Sequence, residues 1–102
     1  MEVIKKIYVT PKGNVEGVQV KSAVFSILLV GGKKGTLVCG VFDLGIMQGF
    51  NMPAAIVEST PSNPIGTLER FPLRKIAKVN DKARALGIEP GMDVTAAFEI
   101  IA

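Results

Sequence analysis

From Val3 to Phe42 the sequence repeats one pattern, a strand-like run followed by turn chemistry. That repetition constrains the fold more than any other feature. Val3, Lys5, Ile7 and Val9 share one face of an extended chain, and Ile4, Lys6 and Tyr8 the other. Pro11-Lys12-Gly13-Asn14 is a turn sequence. Alternation resumes from Val15 to Val20, with Val15, Gly17 and Gln19 opposite Glu16, Val18 and Val20. Ala23 to Val30 is an apolar run broken only by Ser26, as in a strand buried on both faces. Gly31 to Gly35 then closes a hairpin into a strand from Thr36 to Phe42. The expectation is a four-stranded antiparallel β-meander.

The pattern changes at Asp43. Asp43 to Phe50 is expected to form a short helix with Asp43 as its N-cap, stopped by Asn51-Met52-Pro53. Ala54 to Glu58 follows as a short strand, which makes Thr36 to Glu58 a strand-helix-strand unit with parallel pairing. Ser59 to Pro64 is a polar loop, and Thr67 caps a turn that Pro72 breaks. Leu73, Ile76, Ala77, Val79, Ala83 and Leu86 have helical spacing, ended by Gly87. Asp93 caps a last helix with Val94, Ala97, Phe98 and Ile101 on one face. The chain therefore reads as one α+β domain over residues 1–102, with two C-terminal helices packed on the sheet. A hundred residues bury roughly 60–70% of the unfolded surface, enough for one core.

Composition removes most catalytic chemistries. The chain has no histidine, which excludes Ser-His-Asp and Cys-His catalysis and the HExxH zinc site. One cysteine excludes an internal disulfide and fits a reducing compartment, so a cytoplasmic protein is expected. No signal peptide is evident, and the apolar run at Ala23 to Val30 is too short for the roughly 20 residues of a membrane helix. Gly31-Gly32-Lys33-Lys34-Gly35-Thr36 fails the phosphate-loop pattern, because no Gly-Lys-Ser/Thr follows and a strand comes next. Asp43, Glu58 and Glu69 are too scattered to suggest a metal site. No metal and no cofactor are expected.

Three segments together resemble a known family: Gly35 to Asp43 with its Cys39-Gly40-x-x-Asp43 stretch, Gly66-Thr67-Leu68-Glu69-Arg70-Phe71-Pro72-Leu73, and Leu86 to Met92. In order and separation they resemble the YunC-like family of small bacterial and archaeal proteins, a domain of unknown function. That resemblance implies a β-rich N-terminal region associated with tetramer formation. It implies no reaction.

Within the chain itself, Cys39 reads either as a small buried hydrophobe or as a reactive thiol at a strand end near a helix N-terminus. In the second reading Asp43 is the polar anchor and Arg70 an anion clamp, giving a cysteine-dependent enzyme or small-molecule binder. The net charge of +3 is local: six basic residues meet two acidic ones between Thr67 and Gly87, and the remainder is −1. On a continuous helix over 70–84, Arg70, Arg74, Lys78 and Lys82 would form one stripe for nucleic acid or an acidic partner. No aromatic residues are interleaved for base stacking, so a solvated face is the stronger reading and nucleic acid is not an expected partner. Val3, Ile4, Ile7, Tyr8 and Val9 give the first strand apolar side chains on both faces, more than a solvated edge strand normally carries. The expected partner is a second copy of the chain, as a homodimer or homotetramer.

Overall fold

The computed structural model describes all 102 residues as one six-stranded mixed sheet in which spatial order equals chain order. The strands are β1 (Glu2–Thr10), β2 (Gly13–Lys21), β3 (Ser26–Gly31), β4 (Thr36–Val38), β5 (Ala54–Val57) and β6 (Ile76–Val79). β1 to β4 form the expected antiparallel meander. β4 and β5 are parallel, joined through the short helix α1 (Leu44–Gly49), and β6 returns antiparallel to β5. α2 (Asp81–Ala85) and α3 (Val94–Ile101) follow.

The alternation within each strand decides what the two sheet faces bury. One face carries Tyr8, Val15, Leu28, Val30, Leu37 and Ala55, which join Phe71, Ala83, Val94, Ala97, Phe98 and Ile101 in the main core. α3 docks here through Val94, Ala97, Phe98 and Ile101, the stripe expected from their spacing. The Tyr8 and Phe98 rings lie 4.8 Å apart, and Phe71 stacks on Phe98 at 6.3 Å. The opposite face is covered only in part. In β4 both Leu37 and Val38 are fully buried, and in β5 both Ala54 and Ala55 are. Consecutive strand residues point to opposite sides, so this part of the sheet is covered on both faces, and α1, which packs on β5, supplies the second cover.

α1 forms where expected. The Asp43 carboxylate accepts a hydrogen bond from the Ile46 amide at 3.0 Å, the N-cap contact. Asn51, with φ at +60°, ends the helix in the left-handed region that asparagine tolerates. The fourth strand is shorter than expected. It leaves the sheet after Val38, and the Phe42 amide turns back onto the Cys39 carbonyl.

The helix expected from Leu73 to Leu86 does not exist as such. Phe71–Leu73 is a single 3-10 turn that contains Pro72, Ile76–Val79 is strand β6, and only Asp81–Ala85 is helical. The cause is a β-bulge. Ile76 pairs with Val57 and Lys78 with Ile56, so Ala77 is an extra residue. The bulge puts Ile76 and Val79, three apart, on the same side of the sheet, and a strand thereby acquires helical spacing. Asn80 ends β6 and caps α2: its Oδ1 accepts from the Ala83 amide at 2.9 Å and the Ala54 amide at 3.1 Å, while Nδ2 donates to the Met52 carbonyl at 2.8 Å.

Candidate functional site

The parallel pair β4 and β5 organises the site. After β4 the chain passes to the α1 side of the sheet. After β5 it passes to the other side, where Ile65, Leu68 and Phe71 enter the main core. Two neighbouring parallel strands whose continuations part to opposite faces leave a crevice at their carboxyl ends, the usual ligand position in sheets with parallel strands. A cavity of about 370 Å³ lies there. Its walls are Cys39, Gly40 and Val41 after β4, the loop Ser59 to Gly66 after β5, and Ser26 and Leu28 of β3.

Cys39 is 7% exposed and belongs to the main core, yet it also faces this cavity. Its amide donates to the Leu28 carbonyl at 3.0 Å, so β3 still holds the residue although β4 has ended. The two readings of this thiol therefore meet in one place, a buried side chain on a cavity wall. The loop opposite is fixed by its own polar groups. Ser59 Oγ accepts from the Ile65 amide at 3.1 Å, and Thr60 Oγ1 accepts from the Asn63 amide at 3.0 Å. Behind it, buried Gln19 donates through Nε2 to Ser26 Oγ and to the Gly66 carbonyl, both at 2.9 Å. Arg74 ties the loop from outside, with its guanidinium donating to the Asn63 carbonyl at 2.9 Å, to Asn63 Oδ1 at 3.0 Å and to the Pro64 carbonyl.

Asp43 and Arg70 do not join Cys39. Asp43 is exposed and spends its carboxylate on the α1 cap. Arg70 is exposed and lines a separate cleft of about 350 Å³ with Glu58, Asn63, Leu73 and Arg74. The trio expected to share one pocket is thus divided among three places. The basic stripe also dissolves, because no continuous helix carries it. Arg70 lies in the turn before Phe71, Arg74 anchors the 59–66 loop, Lys78 sits in β6 and Lys82 in α2. Lys75–Asp93 at 3.5 Å and Arg84–Asp81 at 3.0 Å are exposed ion pairs, a type that contributes at most about 1 kcal/mol.

The first strand divides as well. Tyr8 is 9% exposed, and its hydroxyl donates to the Leu68 carbonyl, so it belongs to the chain's own core. Val3, Ile7 and Val9 point to the other face and are 57%, 52% and 81% exposed. Ile4 lies on the Tyr8 side near the edge and is 36% exposed. The cavity residues Ser26, Ser59 and Thr60 were not singled out by sequence. The signal available was positional: a polar loop directly after a strand that pairs in parallel.

The fold and site define a small α+β domain with a mixed sheet, one crossover helix and a crevice at the ends of its parallel strands. The chain belongs to a family described as a domain of unknown function, DUF1805, which matches residues 38–101. This is consistent with the likeness seen in the same segments of the sequence. A solved structure, a protein of unknown function (TA1206) from Thermoplasma acidophilum, superposes with a TM-score of 0.81 over 100% of this chain and 97% of the other at 16% identity. At that identity the likeness is one of fold. No curated protein matches. No helix is long and apolar enough to cross a membrane.

Proposed function

We propose that the protein is a homo-oligomeric binding module of the cytoplasm, a homodimer or homotetramer assembled through the open face of β1 to β3. One observation carries the reading: α1 covers this side of the sheet only over β4 and β5, and the rest presents Val3, Ile7, Val9, Val18, Val20 and Leu29 in adjacent rows. Fully burying a side chain of this kind contributes roughly 1.5–3 kcal/mol, and contiguous exposed apolar area on this scale marks an interaction surface. The occupant best matched to it is a second copy. Lys5 and Glu16 stand among these residues, diagonal to each other across β1 and β2, and neither has an ion-pair partner within the chain. A two-fold axis passing midway between these two positions would bring Lys5 of each copy to Glu16 of the other. The single free thiol supports a reducing compartment.

Light scattering tests this. A mass two or four times 10.8 kDa is expected at micromolar concentration. Ile7→Lys, at an exposed position opposite Glu16, is expected to give a folded monomer. Lys5→Glu alone is expected to weaken assembly, and Lys5→Glu with Glu16→Lys to restore it. A wild-type monomer would refute the proposal.

A further inference from the structure

We infer that the crevice at the carboxyl ends of β4 and β5 is a binding site for a small uncharged organic molecule, one that has an acceptor oxygen on an otherwise apolar skeleton. This site lies at the strand ends, away from the open face of β1 to β3, and stands whether or not the chain assembles. Three independent observations carry the inference.

Topology comes first. β4 continues to one side of the sheet and β5 to the other, the arrangement that opens a crevice in sheets with parallel strands. Size is second. About 370 Å³ lies within the range of small-molecule sites, at its lower end.

Chemistry is third and sets the ligand class. No lysine, arginine, aspartate or glutamate lines the cavity. A charged ligand would find no opposite charge there to offset whatever hydration it gives up. Leu28, Val41 and Ile65 provide apolar contact. The polar groups are hydroxyls with donor capacity left over. Ser26 Oγ accepts from Gln19, and Ser59 Oγ accepts from the Ile65 amide, and neither hydroxyl proton has an acceptor in the protein. Two donors on an uncharged wall select an acceptor such as a hydroxyl, ether or carbonyl oxygen. Cys39 contributes as a wall atom. Being the only thiol in the chain, it also reports on occupancy.

Cyclohexanol, cyclohexanecarboxylate and cyclohexylammonium give matched probes of one shape and three charges. In amide NMR titrations of the full chain, cyclohexanol is expected to cause saturable shifts confined to residues 26–28, 39–41 and 59–66, with at least tenfold weaker saturation for both charged analogues. It is also expected to slow labelling of Cys39 by methyl methanethiosulfonate. Gly40→Leu supplies a plug. A side chain there meets nothing within 4 Å of its first carbon and needs no left-handed backbone, so the fold is expected to tolerate a leucine that takes up space at the cavity mouth. In that variant the cyclohexanol shifts are expected to vanish at an unchanged melting temperature. Equal saturation by a charged analogue would overturn the inference. So would shifts scattered over the open sheet face, persistence of binding in Gly40→Leu, or no saturation up to the solubility of cyclohexanol.

Discussion

The hydroxyl of Tyr8 donates to the carbonyl of Leu68, joining the first strand to the turn that carries Phe71 into the core. Burial, reinforced by the nearby Glu69 carboxylate, raises the Tyr8 pKa from 10.0 to about 12. Because the folded pKa lies above the unfolded one, the stabilisation is complete below pH 10. It is lost as pH rises from 10 through 12, where the unfolded chain binds fewer protons than the folded one. Tyr8 is the only tyrosine and there is no tryptophan, so phenolate absorbance reports this residue alone. The native chain is expected to titrate near 12 and the urea-unfolded chain near 10. Tyr8→Phe leaves the Leu68 carbonyl without this donor and is expected to cost about 1–3 kcal/mol in urea unfolding. A native midpoint at 10 would mean that the hydroxyl is solvated.

Gly32 and Gly31 are adjacent, and only one has room for a side chain. A Cβ on Gly32 would lie 2.1 Å from the Ile101 carbonyl oxygen, the same oxygen that accepts from the Lys34 amide at 2.9 Å. A Cβ on Gly31 meets nothing within 4 Å. Gly32→Ala must therefore displace the end of α3, and is expected to destabilise by about 1–3 kcal/mol or more, as overpacking does. Gly31→Ala is expected to change stability by less than about 0.5 kcal/mol. Thermal melts of the two variants measure the difference directly.

Asp43 distinguishes a cap from a catalytic group. Its carboxylate reaches the Ile46 amide and lines neither the Cys39 cavity nor the Arg70 cleft. Asp43→Ala is expected to cost about 1 kcal/mol, a fall in Tm of roughly 4–8 °C for a domain of this size. Asp43→Ser retains a capping oxygen and is expected to recover most of that loss. Charge at this position is irrelevant to a neutral-ligand crevice, so both variants should bind cyclohexanol as the wild type does.

The parts of the fold readable from sequence were those governed by one local rule. Alternation with Pro-Lys-Gly-Asn and Gly-Gly-Lys-Lys-Gly turns defined the meander, and Asp43 with Asn51-Met52-Pro53 bounded α1 on both sides. Residues 73–86 misled because two rules produce the same spacing. The extra residue Ala77 in β6 lets Ile76 and Val79 face one side, as a helix would at three-residue spacing. The site was half readable. Cys39 reads from sequence as a core residue or as a thiol at a strand end, and it lies just past Val38, the last residue of β4, whereas Asp43 and Arg70 are linked to it in sequence only by nearness and charge. Its actual neighbours, Ser26 and the 59–66 loop, arrive through the pairing of β3 with β4 and of β4 with β5. No local pattern encodes that pairing.

Arg74 was read as part of a charge stripe, and the structure makes it a tie for the cavity wall. Its planar guanidinium serves three oxygens on Asn63 and Pro64, a fork geometry that an ammonium group cannot reproduce. Arg74→Ala is expected to leave the β-sheet intact, because its three contacts are all to the loop residues Asn63 and Pro64, while loosening the loop from Ser59 to Gly66. Amide hydrogen exchange should accelerate tenfold or more in that loop, equivalent to about 1.4 kcal/mol of lost local stability, with little change in β2 or β3. Arg74→Lys should behave like the alanine variant. The loop forms one wall of the crevice, so both variants should also weaken cyclohexanol saturation, whereas Lys78→Ala, which removes a positive charge from β6, should not. If Lys78→Ala and Arg74→Ala weaken binding equally, the residues act through charge and the crevice is not selecting a neutral molecule.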